Sequence, residues 1–569
     1  MNSKHDLIVV GSGAGGLTCA IAAKKRGLDV VVLEKEPVFG GTTALSGGVL
    51  WVPLSHHGLL QNPTDTADLV RTYLQGEAGA LFDQQAVQTF IEQGPRMVEF
   101  LERQTTAMRF VPTLYPDYHP DAPGGADIGR SILAEAYDIR GLGEDMRRLK
   151  PPLKTITFMG MMFNSSNADL KHFFQATKSL RSFAYVARRL AKHMLELLRY
   201  RQAVHVTSGN ALAARLAKSA LDLGIPILTS TSAEKLLVES GKVTGVRARG
   251  PDGESCLAAR HGVVLACGGF PHDAERTAKT YPHLQRGHSH LSPTPAGNTG
   301  DGCRMAEDVG GTVTACLPQP AAWMPVSKVE FANGDSGMFV HLLDRYKPGV
   351  IGVLANGRRF TNESNSYHDV GAAMISACRD MGETAMWLVC DQRSLSRYGL
   401  GYVKPSPLPI GRFLRSGYLI RGRTLSELAQ GAGIDALALE QTVKEYNASA
   451  SRGEDPAFCR GANSFNRYLG DPHNKPNPCV APISTGPFYA VKLMVGDLGT
   501  FDGIRTSVSG EVLREDGSRV DGLYAVGNDR ASIMGGSYPG AGITLGPNMT
   551  FGYVTGNFIA DKVGDSTGA

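Results

Sequence analysis

Three of the eighteen tyrosines sit where proline, glycine or a tight polar turn can hold a phenol in a loop. They are Tyr118 in LYPDYHP, Tyr367 at the end of GRRFTNESNSY and Tyr538 in SYPGAG. A free phenol, with a pKa near 10, is a poor base at neutral pH, yet it donates well to a carbonyl oxygen and can be tuned by its pocket. A tyrosine picked blind is more often a packing residue than a catalyst. Tyr538 is better placed than most, because Pro539 and the turn Gly540-Ala541-Gly542 set it beside a bare main-chain N–H. One side-chain donor plus one main-chain donor, from Gly542, makes an oxyanion hole. The histidines offer less. His56, His57, His288 and His290 are read as surface residues without an acid at ligand spacing, and no metal site is expected. Neither a G-x-S-x-G elbow nor a P-loop is found.

The elements that must position these phenols begin at the N-terminus. Leu7 to Val10 is an all-apolar run of the kind shown by a strand buried on both faces. Gly11, Gly13 and Gly16 follow in the G-x-G-x-x-G pattern, enclosing Ala14 and Gly15, and open a helix expected over Leu17 to Arg26. A second apolar run, Val30 to Leu33, ends in Glu34 and Lys35, with Glu34 placed to bind a ribose hydroxyl. Strand, glycines, helix, strand and acid in this order specify a dinucleotide cradle, with the helix N-terminus facing the pyrophosphate. The next stretch contains Gly40, Gly41, Thr42, Thr43, Ser46, Gly47 and Gly48. A plain NAD-binding unit has no use for this second glycine- and hydroxyl-rich loop. A flavin has, for its second phosphate, ribityl chain and ring, so FAD is the expected cofactor. Further cofactor contacts are assigned to Ala266 and Gly268 at the end of a buried strand, to Asn298 and Asp301, and to Gly527, Asn528, Gly542 and Leu545.

Length and composition bound the rest. At 569 residues, 42% hydrophobic and with a net charge of +4, the chain reads as a globular protein of two or three domains, with no nucleic-acid partner implied. Nine scattered cysteines without a C-x-x-C pair suggest a reducing compartment, and a cytoplasmic location is expected. Helices are predicted over Asp65 to Gln75, Gln84 to Gln93 and Pro95 to Gln104, with Gly94-Pro95 separating the last two. Residues 150 to 201 carry ten Lys or Arg against two acids, beside the Met- and Phe-rich run 156–163 and a helix near Leu180 to Tyr200. The plainer reading is a solvated basic face on a packed helix pair. The alternative is an amphipathic segment lying on an anionic membrane. The expected class is α/β: a discontinuous Rossmann-like FAD-binding domain, 1–289 and 486–569, with a basic insert at 150–205. An inserted α+β substrate domain spans 290–485.

The chain resembles the 3-ketosteroid dehydrogenases, within the wider fumarate reductase and succinate dehydrogenase flavoprotein superfamily. The motifs that carry the likeness are VVGSGAGG, FGGTTALSGGVLWVP, PDYHPDAPGG, VVLACGGF, NTGDG, GRRFTNESNSY, GPFYAVKLMVGDLGT and GLYAVGNDRASIMGGSYPGAGITLGPNMTFGY. The resemblance implies roles for the three tyrosines. Tyr538 and the N–H of Gly542 would hold the C3 carbonyl oxygen of a 3-ketosteroid, and Tyr367, as tyrosinate, would take a proton from C2. Tyr118 would hydrogen-bond Tyr367 and lower its pKa. Hydride from C1 would pass to flavin N5, leaving a C1–C2 double bond. The resemblance further implies a quinone or another acceptor to reoxidise the flavin, and a basic insert shared with longer relatives. NSY stands at Tyr367 where many relatives have P-Y, and His119 where many have a second tyrosine, a change read as peripheral. No histidine occupies the region of Gly41 that attaches flavin covalently in succinate dehydrogenases, so noncovalent FAD is implied. A 4-ene-forming dehydrogenase or a fumarate reductase-like enone reductase is the alternative.

Overall fold

The computed structural model describes residues 3–158, 160–162, 179–315 and 317–567. Lys171, Lys178 and Asp169 of the basic insert, and part of the run 156–163, lie outside the described residues. Leu7–Val10 and Val30–Leu33 are strands with every residue buried, and they pair in parallel at the centre of a six-stranded sheet. The order across this sheet is Glu511–Leu513, Arg519–Ala525, Val263–Leu265, Leu7–Val10, Val30–Leu33, Ile227–Leu228. Two of these strands come from beyond residue 510, so the C-terminal part of the chain completes the cofactor sheet. A four-stranded sheet, Ser3–His5 with the hairpins of 232–259, packs alongside.

The helix after the glycine motif runs over Ala14–Lys25, starting three residues earlier than expected. The C-terminal helix Leu545–Thr567 lies against it. A Cβ at Gly552 would stand 2.4 Å from the Gly15 carbonyl oxygen, and one at Gly556 would stand 2.5 Å from that of Cys19. The two helices can therefore touch only backbone to backbone, and the helix propensity that these glycines forgo is returned as contact.

A second buried cluster lies over the inserted sheet. Its strand order is Ser336–Val340, Ala321–Glu330, Phe488–Thr500, Ala385–Asp391, Val350–Val353, with Ile420–Gly422 also on Phe488–Thr500. This topology corrects both expected domain edges. The strand Phe488–Thr500 hydrogen-bonds within the inserted sheet, so the chain returns to the cofactor unit after residue 500 rather than at 486. At the other edge, Cys303, Met305 and Ala306 of helix Asp301–Glu307 pack with Ile8 and Val263, so the cofactor unit continues past the predicted boundary at 290. The apolar run from Phe488 marks a strand but carries no information about its partners.

The predicted break at Gly94-Pro95 is also corrected. Gln84–Gln104 is one helix with Pro95 inside it. Its buried face, Ala86, Val87, Phe90, Ile91, Gly94, Met97, Val98 and Leu101, keeps the helical period straight through the proline. Burial of that stripe against Val52 and the C-terminal helix outweighs the hydrogen bond that Pro95 cannot make.

Candidate active site

A single cavity of about 670 Å³ runs from the glycine motif to the three tyrosines. Every predicted cofactor or catalytic residue lines it except Gly40, which is set back and donates its N–H to Ser12 Oγ at 2.9 Å. At the cofactor end, Gly11 has φ +117°, and a Cβ there would lie 2.0 Å from the Ala266 carbonyl oxygen. The Ala14 N–H at the helix start donates to Thr43 Oγ1 at 3.0 Å, so the two glycine-rich loops form one cradle. Glu34, at the end of its strand, accepts from Ser12 Oγ at 2.5 Å and from the Glu36 N–H at 2.9 Å. Burial raises its pKa despite these donors. Asn298 Nδ2 donates to Thr42 Oγ1 at 2.9 Å, and Lys35 pairs with Asp301. Bare backbone, a helix N-terminus and short hydroxyls along an elongated cavity fit a dinucleotide carrying a ring system.

Sequence reasoning missed Asp529. Fully buried, it accepts from the N–H groups of Cys267 at 2.5 Å and Gly269 at 2.9 Å, and so holds the double-glycine turn. Burial pushes its pKa up to about 6, with the backbone donors opposing. The only signal was an acid in GNDR, indistinguishable from a surface turn. Also missed was the cavity wall at Leu153, Thr155, Ile156 and Met162, in the segment read as an insert.

The tyrosines converge. Ring centroids of Tyr118 and Tyr538 lie 5.6 Å apart and nearly parallel, while Tyr367 stands edge-on at 5.7 Å from Tyr118 and 5.0 Å from Tyr538. The Tyr367 side chain hydrogen-bonds both, and Tyr538 also bonds Thr544. Each phenol is fixed by its backbone. The Tyr118 N–H donates to the Pro539 carbonyl at 2.8 Å, and Tyr73 Oη donates to the same oxygen at 2.6 Å. Beneath them, Asp117 accepts from Trp51 Nε1 at 2.8 Å and pairs with Arg130 at 2.8 Å, both side chains buried. Tyr367 opens the helix Tyr367–Ala377, where Ser366 caps by accepting from the Asp369 N–H and donating to Asp369 Oδ2. The serine in NSY thus starts the helix. Gly542 has φ +95°, and a Cβ there would meet the Val49 carbonyl oxygen at 2.3 Å. Its carbonyl accepts from the Trp51 N–H at 3.1 Å, while its own N–H has no protein acceptor among the described residues.

Two expectations are overturned here. The expected lowering of the Tyr367 pKa is reversed. Burial first, then the neighbouring Tyr118 and Tyr538, push it well above 10, and Tyr118 and Tyr538 are raised by burial as well. The hydrogen bond between Tyr118 and Tyr367 therefore lies inside a cluster in which burial holds every phenol protonated at neutral pH. Nor is His119 peripheral. Its Nδ1 meets Glu77 Oε1 at 2.8 Å and its Nε2 meets Asp369 Oδ2 at 3.0 Å. It thereby ties the Tyr118 loop to the helix that carries Tyr367. Although burial opposes the charge, the two carboxylates push His119 up to about 10.

That value has a consequence for stability. A folded-state pKa above the unfolded value of about 6.5 stabilises fully below pH 6.5, and the gain is lost as pH climbs through 10. His119→Gln is therefore expected to melt roughly 1–2 °C below wild type at pH 6, since a partly exposed pair contributes about 1 kcal/mol or less. The two melting curves should converge at pH 10.5. A gap that stays constant with pH would show that the charge on His119 is not what the loop depends on.

The other histidines are not all on the surface. His57 Nε2 lies 3.1 Å from both Glu102 oxygens, and His56 reaches the same carboxylate. His288 is buried against Thr384 Oγ1 at 2.7 Å. His290 bridges His283 at 3.0 Å and Asp497 at 2.8 Å. Glu102, Thr384 and Asp497 come from distant segments, which sequence spacing cannot show.

A family model described as an FAD binding domain matches residues 6–545. The chain belongs to that family. Over 556 residues it is 40% identical to the 4-oxocyclohex-2-ene-1-carboxylate 5-dehydrogenase of Sinomonas cyclohexanicum, covering 98% of this chain and 93% of the relative. It is 38% identical over 580 residues to the 3-oxosteroid 1-dehydrogenase of Mycobacterium tuberculosis, covering 99% of each. The crystal structure of 3-ketosteroid delta1-dehydrogenase from Sterolibacterium denitrificans, in complex with 1,4-androstadiene-3,17-dione, superposes with a TM-score of 0.89 at 34% identity. It covers 99% of this chain and 100% of that one. The protein is an FAD-dependent oxidoreductase of the 3-ketosteroid dehydrogenase group, with the α/β flavoprotein fold.

Proposed function

We propose that the protein is a 3-ketosteroid 1-dehydrogenase, introducing a C1–C2 double bond into ring A of a 3-oxosteroid. The observation that carries this reading is the packing of three phenols and the unpartnered Gly542 N–H on one cavity continuous with the flavin cradle. Tyr538 and the Gly542 N–H would donate to the C3 carbonyl oxygen and favour its enolate character. Hydrogen bonding to the carbonyl oxygen acidifies C2, where Tyr367 would accept the proton as the enolate forms, its ring held by Tyr118 and by the Ser366 cap. Bound FAD, held by the loops around Gly11 and Gly41, supplies the acceptor for the hydride leaving C1. The apolar walls from Met324, Val340 and Phe465 suit a fused-ring hydrocarbon and keep water from the enolate. The Sinomonas relative supports a second substrate class for the same chemistry, a single-ring ketone.

Anaerobic addition of 4-androstene-3,17-dione to the yellow protein is expected to bleach the flavin and give the 1,4-diene. Bleaching only by a saturated 5α-3-ketone would move the double bond to C4–C5. Bleaching by neither would reject the reading.

The same proposal places the helix Leu180–Tyr200 on an anionic membrane surface. The helix docks on the protein through Ser182, Val186 and His193, and turns Leu180, Phe183, Leu195 and Leu198 outward, 60–88% exposed. Exposed Arg181, Arg188, Lys192 and Arg199 flank that stripe. No helix among the described residues is long and apolar enough to cross a membrane. A membrane-dissolved quinone would be within reach of a protein held there. Co-sedimentation with anionic vesicles is expected to fall several-fold when Arg188 and Lys192 are replaced by glutamate. Equal sedimentation would return the helix to an ordinary solvated face.

A further inference from the structure

Among the described residues three cations line the cavity, and two of them are already neutralised. Lys35 is paired with Asp301 and donates to Thr299 Oγ1. Arg397 meets Asp471 Oδ2 at 2.6 Å. The third, Lys404, has no carboxylate or hydrogen-bond partner among the described residues. Its ammonium stands 5.1 Å from the Tyr402 ring centroid and 6.0 Å from that of Phe339. Asp344, whose charge reaches it, is committed elsewhere, its Oδ2 accepting from His341 at 2.7 Å and from the Gly401 N–H at 2.9 Å. Burial lowers the Lys404 pKa, with Asp344 opposing.

The position along the cavity matters as much as the charge. Tyr118, Tyr367 and Tyr538 are buried, 3–8% exposed. Lys404 begins the stretch Lys404 to Leu408, whose Ser406, Pro407 and Leu408 are exposed, so it stands at the mouth. Two aromatic faces return part of the cost of holding an ammonium out of water, yet they leave its N–H donors unused. A ligand oxygen carrying negative charge is what such a group lacks.

We infer that Lys404 forms a subsite for a carboxylate at the end of the substrate remote from the reacting ketone. This rests on the ring-ketone reading above and narrows its substrate class to ring ketones that carry an acid. A 3-oxo-4-ene steroid with an acidic side chain and a single-ring oxo acid share that chemistry. They differ in how far the carboxylate reaches from the ketone.

The test is steady-state kinetics of the FAD-loaded wild type, Lys404→Met and Lys404→Arg. The substrates are 4-androstene-3,17-dione, a 3-oxo-4-ene steroid whose side chain ends in a carboxylate, 4-oxocyclohexanecarboxylate, and the methyl ester of each acid. Turnover of the neutral steroid by wild type tests the ring-ketone reading by itself. Lys404→Met is expected to raise KM for an acid at least about ten-fold more than for its neutral partner, with kcat moving far less. Lys404→Arg should restore most of the difference, and 0.5 M salt should shrink it in wild type. Discrimination confined to the steroid acid would place the carboxylate at side-chain distance. Discrimination confined to the small acid would assign the subsite to a single-ring substrate. Equal KM changes for acid and neutral partner, or an ester bound by wild type as well as its acid, would overturn the inference.

Discussion

Tyr367→Phe is expected to lower kcat by roughly 10²–10⁴, the range that a positioned acid–base group contributes. The substitution removes one oxygen and leaves the ring packing against Tyr118 and Tyr538 in place. Binding of a 1,4-diene product, read from the flavin absorbance, should therefore stay close to wild type. The pH profile gives an independent readout. A base must be unprotonated to act, and burial with its two phenol neighbours holds the Tyr367 pKa well above 10. For wild type, kcat/KM should accordingly rise about ten-fold per pH unit across the neutral and mildly alkaline range. In Tyr367→Phe that slope should vanish. A variant that keeps both the slope and more than a third of the wild-type rate would remove Tyr367 from the chemistry.

Tyr538→Phe should cost about 10²–10³ in kcat/KM, or roughly 3–4 kcal/mol of transition-state stabilisation, as expected for losing one of two oxyanion donors. The loss should fall on kcat more than on KM, because the donor matters most once charge has moved onto the carbonyl oxygen. Here the alkaline rise should persist, since the base is untouched. The two variants are thus separable by pH profile even if their rates at pH 7 coincide. The remaining Gly542 N–H accounts for residual activity, and its own removal is not accessible by a side-chain change. A rate for Tyr538→Phe within threefold of wild type would place the carbonyl oxygen elsewhere in the cavity.

Much of the site was legible in sequence because its requirements are local. A cradle for a pyrophosphate needs glycine where a Cβ would strike backbone, and Gly11 meets Ala266 at such a distance. The strands Leu7–Val10 and Val30–Leu33, buried throughout, were readable from unbroken apolar runs. The three tyrosines could be singled out from their loops and from family likeness, while their mutual packing could not. His119 illustrates the limit. Its two acids lie 42 positions before it and 250 after it, so nothing in PDYH distinguishes a clamp from a surface ring. Asp529 and Lys404 are similar cases, ordinary charges in ordinary turns until burial and neighbours give them a task.

The sequence by itself determined the cofactor class, the α/β cradle and the residue types available for chemistry, since each follows from spacing within about thirty residues. Tertiary structure alone decided which sheet owns Phe488–Thr500, why Pro95 does not end its helix, and that burial raises the pKa values of Tyr118, Tyr367 and Tyr538. Strand partners, helix burial and pKa values all depend on groups brought from far along the chain. Their free energies come from desolvation and contact, which a linear pattern does not record.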